Sequence, residues 1–165
     1  MARPSASPFP PAPDGSDEIA SDRSTRQRIL TVLIVEDNAT DILVINDILR
    51  ECNLNARVEI ARNGSEALSF LQRSANDEQE PCPGLVLLDL NLPGVGGIEV
   101  LKRIRSRSRR VPVIVITSSD SAEDRGAVQK LNADAYFRKP TSLTAYLELG
   151  QVIQRVLGLH SEPGA

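Results

Sequence analysis

The sequence predicts an α/β fold, a doubly wound parallel sheet of five strands covered by helices on both faces. Three observations predict it. Short apolar runs alternate with segments whose apolar residues recur at helical spacing, the pattern that yields right-handed crossovers and a parallel sheet. The runs Leu85 to Leu88 and Val111 to Ile116 are apolar throughout rather than alternating, which suits strands buried on both faces. Several runs end directly in acidic, hydroxyl or basic residues, at the carboxyl edge where open parallel sheets bind ligands.

The elements follow in order. Residues 1–28 carry Pro4, Pro8, Pro10, Pro11 and Pro13 among small and polar residues, a composition that predicts a disordered tail. A domain over 29–158 follows, with 159–165 as a C-terminal tail holding the lone His160. Val32 to Val35 predicts the first strand, ending in Glu36-Asp37. Ile42, Ile45, Ile48, Leu49 and Cys52 mark the first helix. Val58 to Ala61 predicts a weaker second strand, and Asn63-Gly64-Ser65 turns into a helix carrying Ala67, Leu68 and Leu71. After a polar loop, Leu85 to Leu88 is the central strand, delivering Asp89 at its end. Asn91 and Pro93-Gly94 close a turn, and Gly94, Gly96 and Gly97 predict a flexible loop before a third helix marked by Ile98, Leu101 and Ile104.

The fourth strand, Val111 to Ile116, ends in Thr117-Ser118-Ser119. Ser121 and Asp124 resemble a capping box for a fourth helix whose inward face, Ala122, Ala127, Val128 and Leu131, is thin. Ala135 to Phe137 is the fifth strand and leads into Arg138-Lys139-Pro140. One last helix is expected from near Ser142 to a left-handed cap at Gly158. Its apolar residues, among them Leu143, Tyr146, Leu147, Leu149, Val152 and Ile153, cover more than one face, so a homodimer through the surplus is expected.

Composition narrows the function. At 165 residues and 41% hydrophobic, the chain can bury a real core, and a net charge of -3 directs it to neither nucleic acid nor membrane. Cys52 and Cys82 stand in no metal-ligand spacing, which fits a reducing cytoplasm, and no stretch approaches a membrane span or a secretory signal. The basic run Lys102, Arg103, Arg105, Arg107, Arg109 and Arg110 lacks aromatic neighbours and is expected to be a solvated helix end.

The strand ends collect Glu36-Asp37, Asp89, Thr117 and Lys139. Crowded carboxylates repel unless a cation sits among them, and an oxygen-only donor set favours a hard ion such as Mg²⁺. Lys139 and Thr117 would hold the oxygens of a phosphoryl group placed on Asp89.

These motifs, with Asn91 and Pro93-Gly94 behind Asp89, the small Ser118 after Thr117, Tyr136 three residues before Lys139, and Lys139-Pro140, resemble the receiver domains of bacterial response regulators over about residues 30–157. The resemblance implies the flavodoxin-like (βα)5 fold with strand order 2-1-3-4-5. It implies that Asp89 accepts a phosphoryl group from a sensor histidine kinase and promotes its own phosphorylation and dephosphorylation. Asp37 and Asp89 would bind Mg²⁺ directly, Asn91 through its backbone carbonyl and Glu36 through water. Thr117 and Tyr136 would switch the face made by the fourth helix, fifth strand and last helix, and the Lys139-Pro140 bond would be cis. The Asn38-x-x-Asp41 continuation and the wording Leu88-Asp89-Leu90-Asn91-Leu92-Pro93 resemble single-domain regulators paired with bacterial phytochrome kinases, whose output goes through a protein partner.

Other functions fit less well. A flavodoxin-like electron carrier must cradle phosphate after the first strand, where Glu36-Asp37 would repel it. An Asp-nucleophile phosphatase commonly has a second acid where this chain has Asn91. A phosphorylation-independent docking module on the same fold would not need the full set of site residues.

Overall fold

The computed structural model describes residues 29–159 except 78, 80, 108 and 109. The expected tail over 1–28 and His160 lie outside the described residues. The elements are β1 (Leu30–Val35), α1 (Ala39–Glu51), β2 (Ala56–Ala61), α2 (Gly64–Asn76), β3 (Leu85–Leu88), α3 (Gly97–Arg107), β4 (Val113–Thr117), α4 (Ala122–Lys130), β5 (Ala135–Arg138), α5 (Leu143–Tyr146) and α6 (Glu148–Val156). The five strands are parallel in the order β2-β1-β3-β4-β5, the expected doubly wound sheet. No helix among the described residues is long and apolar enough to cross a membrane.

Strand periodicity divides the core in two. Leu85 and Leu87 point to one face and Val86 and Leu88 to the other, and β1 and β4 alternate likewise. On one face Val32, Ile34, Leu85, Leu87, Ile114 and Ile116 pack under α1 and α6. On the other Leu33, Val35, Val86, Leu88, Val113 and Val115 pack under α2, α3 and a single buried residue of α4, Val128. The continuous apolar runs have this cause: both residues of each pair face a helix layer.

Several boundaries differ from the sequence reading. The expected last helix is two, because Leu147 closes α5 and opens α6 with no side-chain cap at the junction. The fourth helix is thinner than its sequence suggests, since Ala122 is exposed and Ala127 only half-buried. Gly158 does adopt the left-handed conformation at the end of α6, with φ of 69°. The glycines after Asp89 serve close approach as well as turning. A Cβ on Gly97 would stand 2.2 Å from the backbone oxygen of Asp89, so α3 packs directly on the end of β3 only because residue 97 has none.

Arg105 corrects the reading of the basic run as solvated. Its side chain is only 10% exposed and pairs with Asp134. The guanidinium also donates to the backbone oxygens of Val111, Leu131 and Asn132 at 2.8 to 3.2 Å. The chain uses it to tie α3 to the end of α4 and the start of β5.

Two glycine substitutions should therefore move stability in opposite directions. Gly97→Ala overpacks the end of β3 and should cost about 1–3 kcal/mol in urea unfolding. Gly126→Ala lies inside α4, where a Cβ meets nothing within 4 Å, and should stabilise by about 0.5–1 kcal/mol.

Candidate functional site

Glu36, Asp89 and Lys139 are the first residues past their strands, and backbone ladder bonds still hold them. Glu36 N–H donates to Ala61 O at 3.0 Å, Asp89 N–H to Val35 O at 2.9 Å, and Lys139 N–H to Thr117 O at 2.8 Å. The β1–β3 register pairs Val35 with Leu88, so Glu36 and Asp89 leave the sheet side by side. Thr117 is the last residue of β4 and is fully buried. Position in the sheet thus fixes the constellation before any side-chain contact is counted.

Lys139 Nζ lies at the centre. It donates to Glu36 Oε2 at 2.7 Å, Asp89 Oδ2 at 2.8 Å and Asp41 Oδ2 at 2.9 Å, one carboxylate for each ammonium proton. Glu36 and Asp89 are buried, whereas Asp37 is exposed. One carboxylate oxygen from each of Glu36, Asp37 and Asp89 falls within 4.8 Å of the others. Three acidic side chains on one ammonium, with Asp37 beside them, leave a surplus of negative charge, and this oxygen-only donor set fits a small hard cation.

The other predicted residues join this centre through Asn91. Its backbone N–H donates to Asp89 Oδ1 at 3.0 Å, and its side-chain amide lies 3.4 Å from Thr117 Oγ1 and 3.5 Å from Ser118 Oγ. Thr117 Oγ1 also accepts from Ser119 N–H at 3.2 Å, and Tyr136 donates its hydroxyl to Ser119 O at 2.8 Å. Tyr136 is half-buried with the Arg125 guanidinium 4.8 Å from its ring centre. Ser121 caps α4 through Asp124 N–H, but the Asp124 carboxylate bonds the Ser119 hydroxyl instead of returning to Ser121. The capping box is thus half made, and its acid pins the loop after β4. The Lys139-Pro140 bond is trans, as are all peptide bonds among the described residues, rather than cis as the resemblance implies. Trans is the isomer that an X–Pro bond ordinarily favours, by about 0.5–1 kcal/mol.

Two members of the site were not singled out as such from the sequence, Asp41 and Tyr146. Tyr146 donates its hydroxyl to Asp41 Oδ1 at 3.2 Å, while the other oxygen of Asp41 faces Lys139. The available signal was the Asn38-x-x-Asp41 spacing. Asn38 caps α1 by accepting from Thr40 and Asp41 N–H, which sets Asp41 in the first turn beside the strand end.

Burial pushes the Glu36 carboxyl up to about 7, against the hydrogen bonds from Lys139 and Asn38 N–H that favour its charged form. Burial alone would lower the Lys139 ammonium, but its bonds to Asp89, Glu36 and Asp41 outweigh that and raise it above the ordinary lysine value. Metal-free folded protein therefore holds a proton on Glu36, between about pH 4.5 and 7, that the unfolded chain has released. Stability should fall as pH rises through that window. Urea unfolding at a series of pH values should show this slope in the wild type and a flatter one in Glu36→Gln.

Comparison with known proteins agrees with the geometry. The model of the response regulator receiver domain matches residues 32–149. Response regulator Rcp1 of Synechocystis sp. is 34% identical over 136 residues, covering 81% of this chain and 91% of its own. A probable methanogenesis regulatory protein, FilR2 of Methanothrix harundinacea, is 32% identical, covering 81% and 87%. Among solved structures, the Mn²⁺-bound form of Rcp1 superposes with a TM-score of 0.71 at 33% identity, covering 82% of this chain and 99% of that one. The phosphorylated cyanobacterial phytochrome response regulator RcpA gives 0.72 at 30% identity with the same coverage. With its sheet order, its acidic cluster and its strand-end lysine, the chain belongs to the response regulator receiver domain family of two-component signalling.

Proposed function

We propose that this chain is a phosphorylation-activated response regulator that accepts a phosphoryl group on Asp89 from a sensor histidine kinase and acts through protein contact. The observation that carries the reading is the Lys139 ammonium, 2.8 Å from Asp89, beside a cluster of acidic oxygens. In the transfer, an Asp89 carboxylate oxygen forms the new bond to phosphorus as the bond from phosphorus to the imidazole nitrogen of the donor breaks. The electron pair leaves with the imidazole. Lys139 and Thr117 hold the phosphoryl oxygens, and Asn91 N–H orients the carboxylate through its other oxygen.

Glu36, Asp37, Asp89 and the Asn91 carbonyl are the groups that would hold Mg²⁺, which when bound neutralises the charge of the phosphoryl oxygens. Relatives crystallised with Mn²⁺, or with magnesium in the active-site cleft, support a divalent ion in the family. The phytochrome response regulators among the relatives support a bacterial phytochrome as the kinase.

The switch runs through the loop after β4. Thr117 and Tyr136 both bond Ser119, so drawing Thr117 toward a phosphoryl group disturbs the residue that holds Tyr136. With only Val128 of α4 buried, that face is inexpensive to rearrange. Leu143 and Leu147, 67% and 49% exposed at the junction of the last two helices, extend the same region and support a homodimer there.

Incubation with acetyl phosphate should add one phosphoryl group by intact mass only when Mg²⁺ is present, and none to Asp89→Asn. A folded wild type that takes up no phosphoryl group and binds no beryllofluoride would instead favour the phosphorylation-independent docking module. Equilibrium sedimentation should show self-association that Leu143→Glu with Leu147→Glu abolishes. Monomer alone at high micromolar concentration, with and without phosphorylation, would remove the dimer.

A further inference from the structure

Phosphoryl transfer changes the surroundings of Lys139. Its ammonium gives one proton each to Glu36 Oε2, Asp89 Oδ2 and Asp41 Oδ2, at 2.7, 2.8 and 2.9 Å. Asn91 N–H holds Asp89 Oδ1, so Oδ2 is the oxygen that bonds phosphorus. That bond releases the ammonium proton that Oδ2 had accepted, and a phosphoryl oxygen can take it if the ammonium stays in place. A lysine head on its flexible stem stays in place only when other partners hold it.

Glu36 and Asp41 are the partners that remain. Glu36 belongs, with Asp37 and Asp89, to the oxygen cluster that would hold the cation, whereas Asp41 stands outside it. Asp41 is therefore the carboxylate that serves the lysine alone. It is fixed from two sides: Asn38 accepts its backbone N–H at the start of α1, and the Tyr146 hydroxyl of α5 donates to Oδ1 at 3.2 Å, leaving Oδ2 to face the ammonium. Tyr146 is buried, with its ring centre 6.0 Å from that of Phe137 in β5. The orientation of the carboxylate thus comes from packed elements and not from the loops around the site.

We propose that Asp41 is a positioning residue for phosphoryl transfer: oriented by Tyr146, it anchors the Lys139 ammonium beyond the end of β5 while Asp89 Oδ2 gives up the lysine for phosphorus. The inference rests on the proposed phosphorylation of Asp89. Asp41 acts through Lys139, and Tyr146 acts one step further out.

The test is a double-mutant cycle of Asp41→Asn and Tyr146→Phe in the full chain, titrated with beryllofluoride at saturating Mg²⁺ and followed by the NMR signal of the Lys139 ammonium. Asp41→Asn should weaken beryllofluoride binding about 3- to 10-fold, because one charge-assisted anchor of the lysine is gone and Glu36 remains. Tyr146→Phe should weaken it about 2-fold in the wild type and leave it unchanged in Asp41→Asn, because the phenol acts through that carboxylate. The ammonium signal should be sharp in the beryllofluoride-bound wild type and broadened by exchange with water in Asp41→Asn. A purely structural role would not produce that change while the amide spectrum of the sheet stays native. Tyr146→Phe alone still tests the anchor should Asp41→Asn not fold. Beryllofluoride binding that is unchanged or tighter in either single variant, additive effects, or an unaltered ammonium signal would overturn the anchor. A wild type that binds no beryllofluoride would overturn the phosphorylation reading itself.

Discussion

One ammonium surrounded by carboxylates is the interaction on which the rest of the site depends. Taken alone, Glu36, Asp37, Asp41 and Asp89 would repel one another across the same crevice. Lys139 relieves part of that repulsion, and protonation of the buried Glu36 relieves more. The remaining negative charge is what a bound cation would offset, and a transferred phosphoryl group would add to it. The unmodified site is thus held by an incomplete charge balance, the condition under which a small charged ligand can redistribute contacts.

The sheet sets where those contacts lead. Glu36 and Asp89 continue the parity of Ile34 and Leu87, toward α1 and the last helices, whereas Thr117 continues that of Val113 and Val115, toward the layer of α4. The site therefore straddles the sheet. On one side its hydrogen bonds run to Ser119 and Tyr136, and on the other to Asp41 and Tyr146.

Much of this was legible in the sequence because it depends on local pattern. The apolar runs located all five strands, although β2 begins at Ala56 rather than Val58 and β4 at Val113 rather than Val111. The acidic, hydroxyl and basic residues at the strand ends marked the side chains that the structure brings together, since a parallel sheet gathers its carboxyl ends at one edge. Contacts between distant segments were not legible. Tyr146 looked like one more apolar position on a helix, and only the packing of α5 against α1 reveals a partner for its hydroxyl. Arg105 looked solvated because nothing nearby in sequence tells a guanidinium that backbone oxygens 26 and 27 residues away will converge on it. The break at Leu147 was hidden as well, since its residue type is a good helix former.

Arg105 also constrains how α4 can respond. Its fork grips the oxygens of Leu131 and Asn132 just beyond the end of that helix, and Asp134 just after. The opposite end is held by Ser121 and the Ser119–Asp124 contact, on the loop that leaves Thr117. The helix is thus held at both ends, by the guanidinium at one and by the loop that leaves Thr117 at the other. In the proposed switch, a displacement at Ser119 would tilt the helix, with the larger travel near Glu123 and little at the end that Arg105 holds.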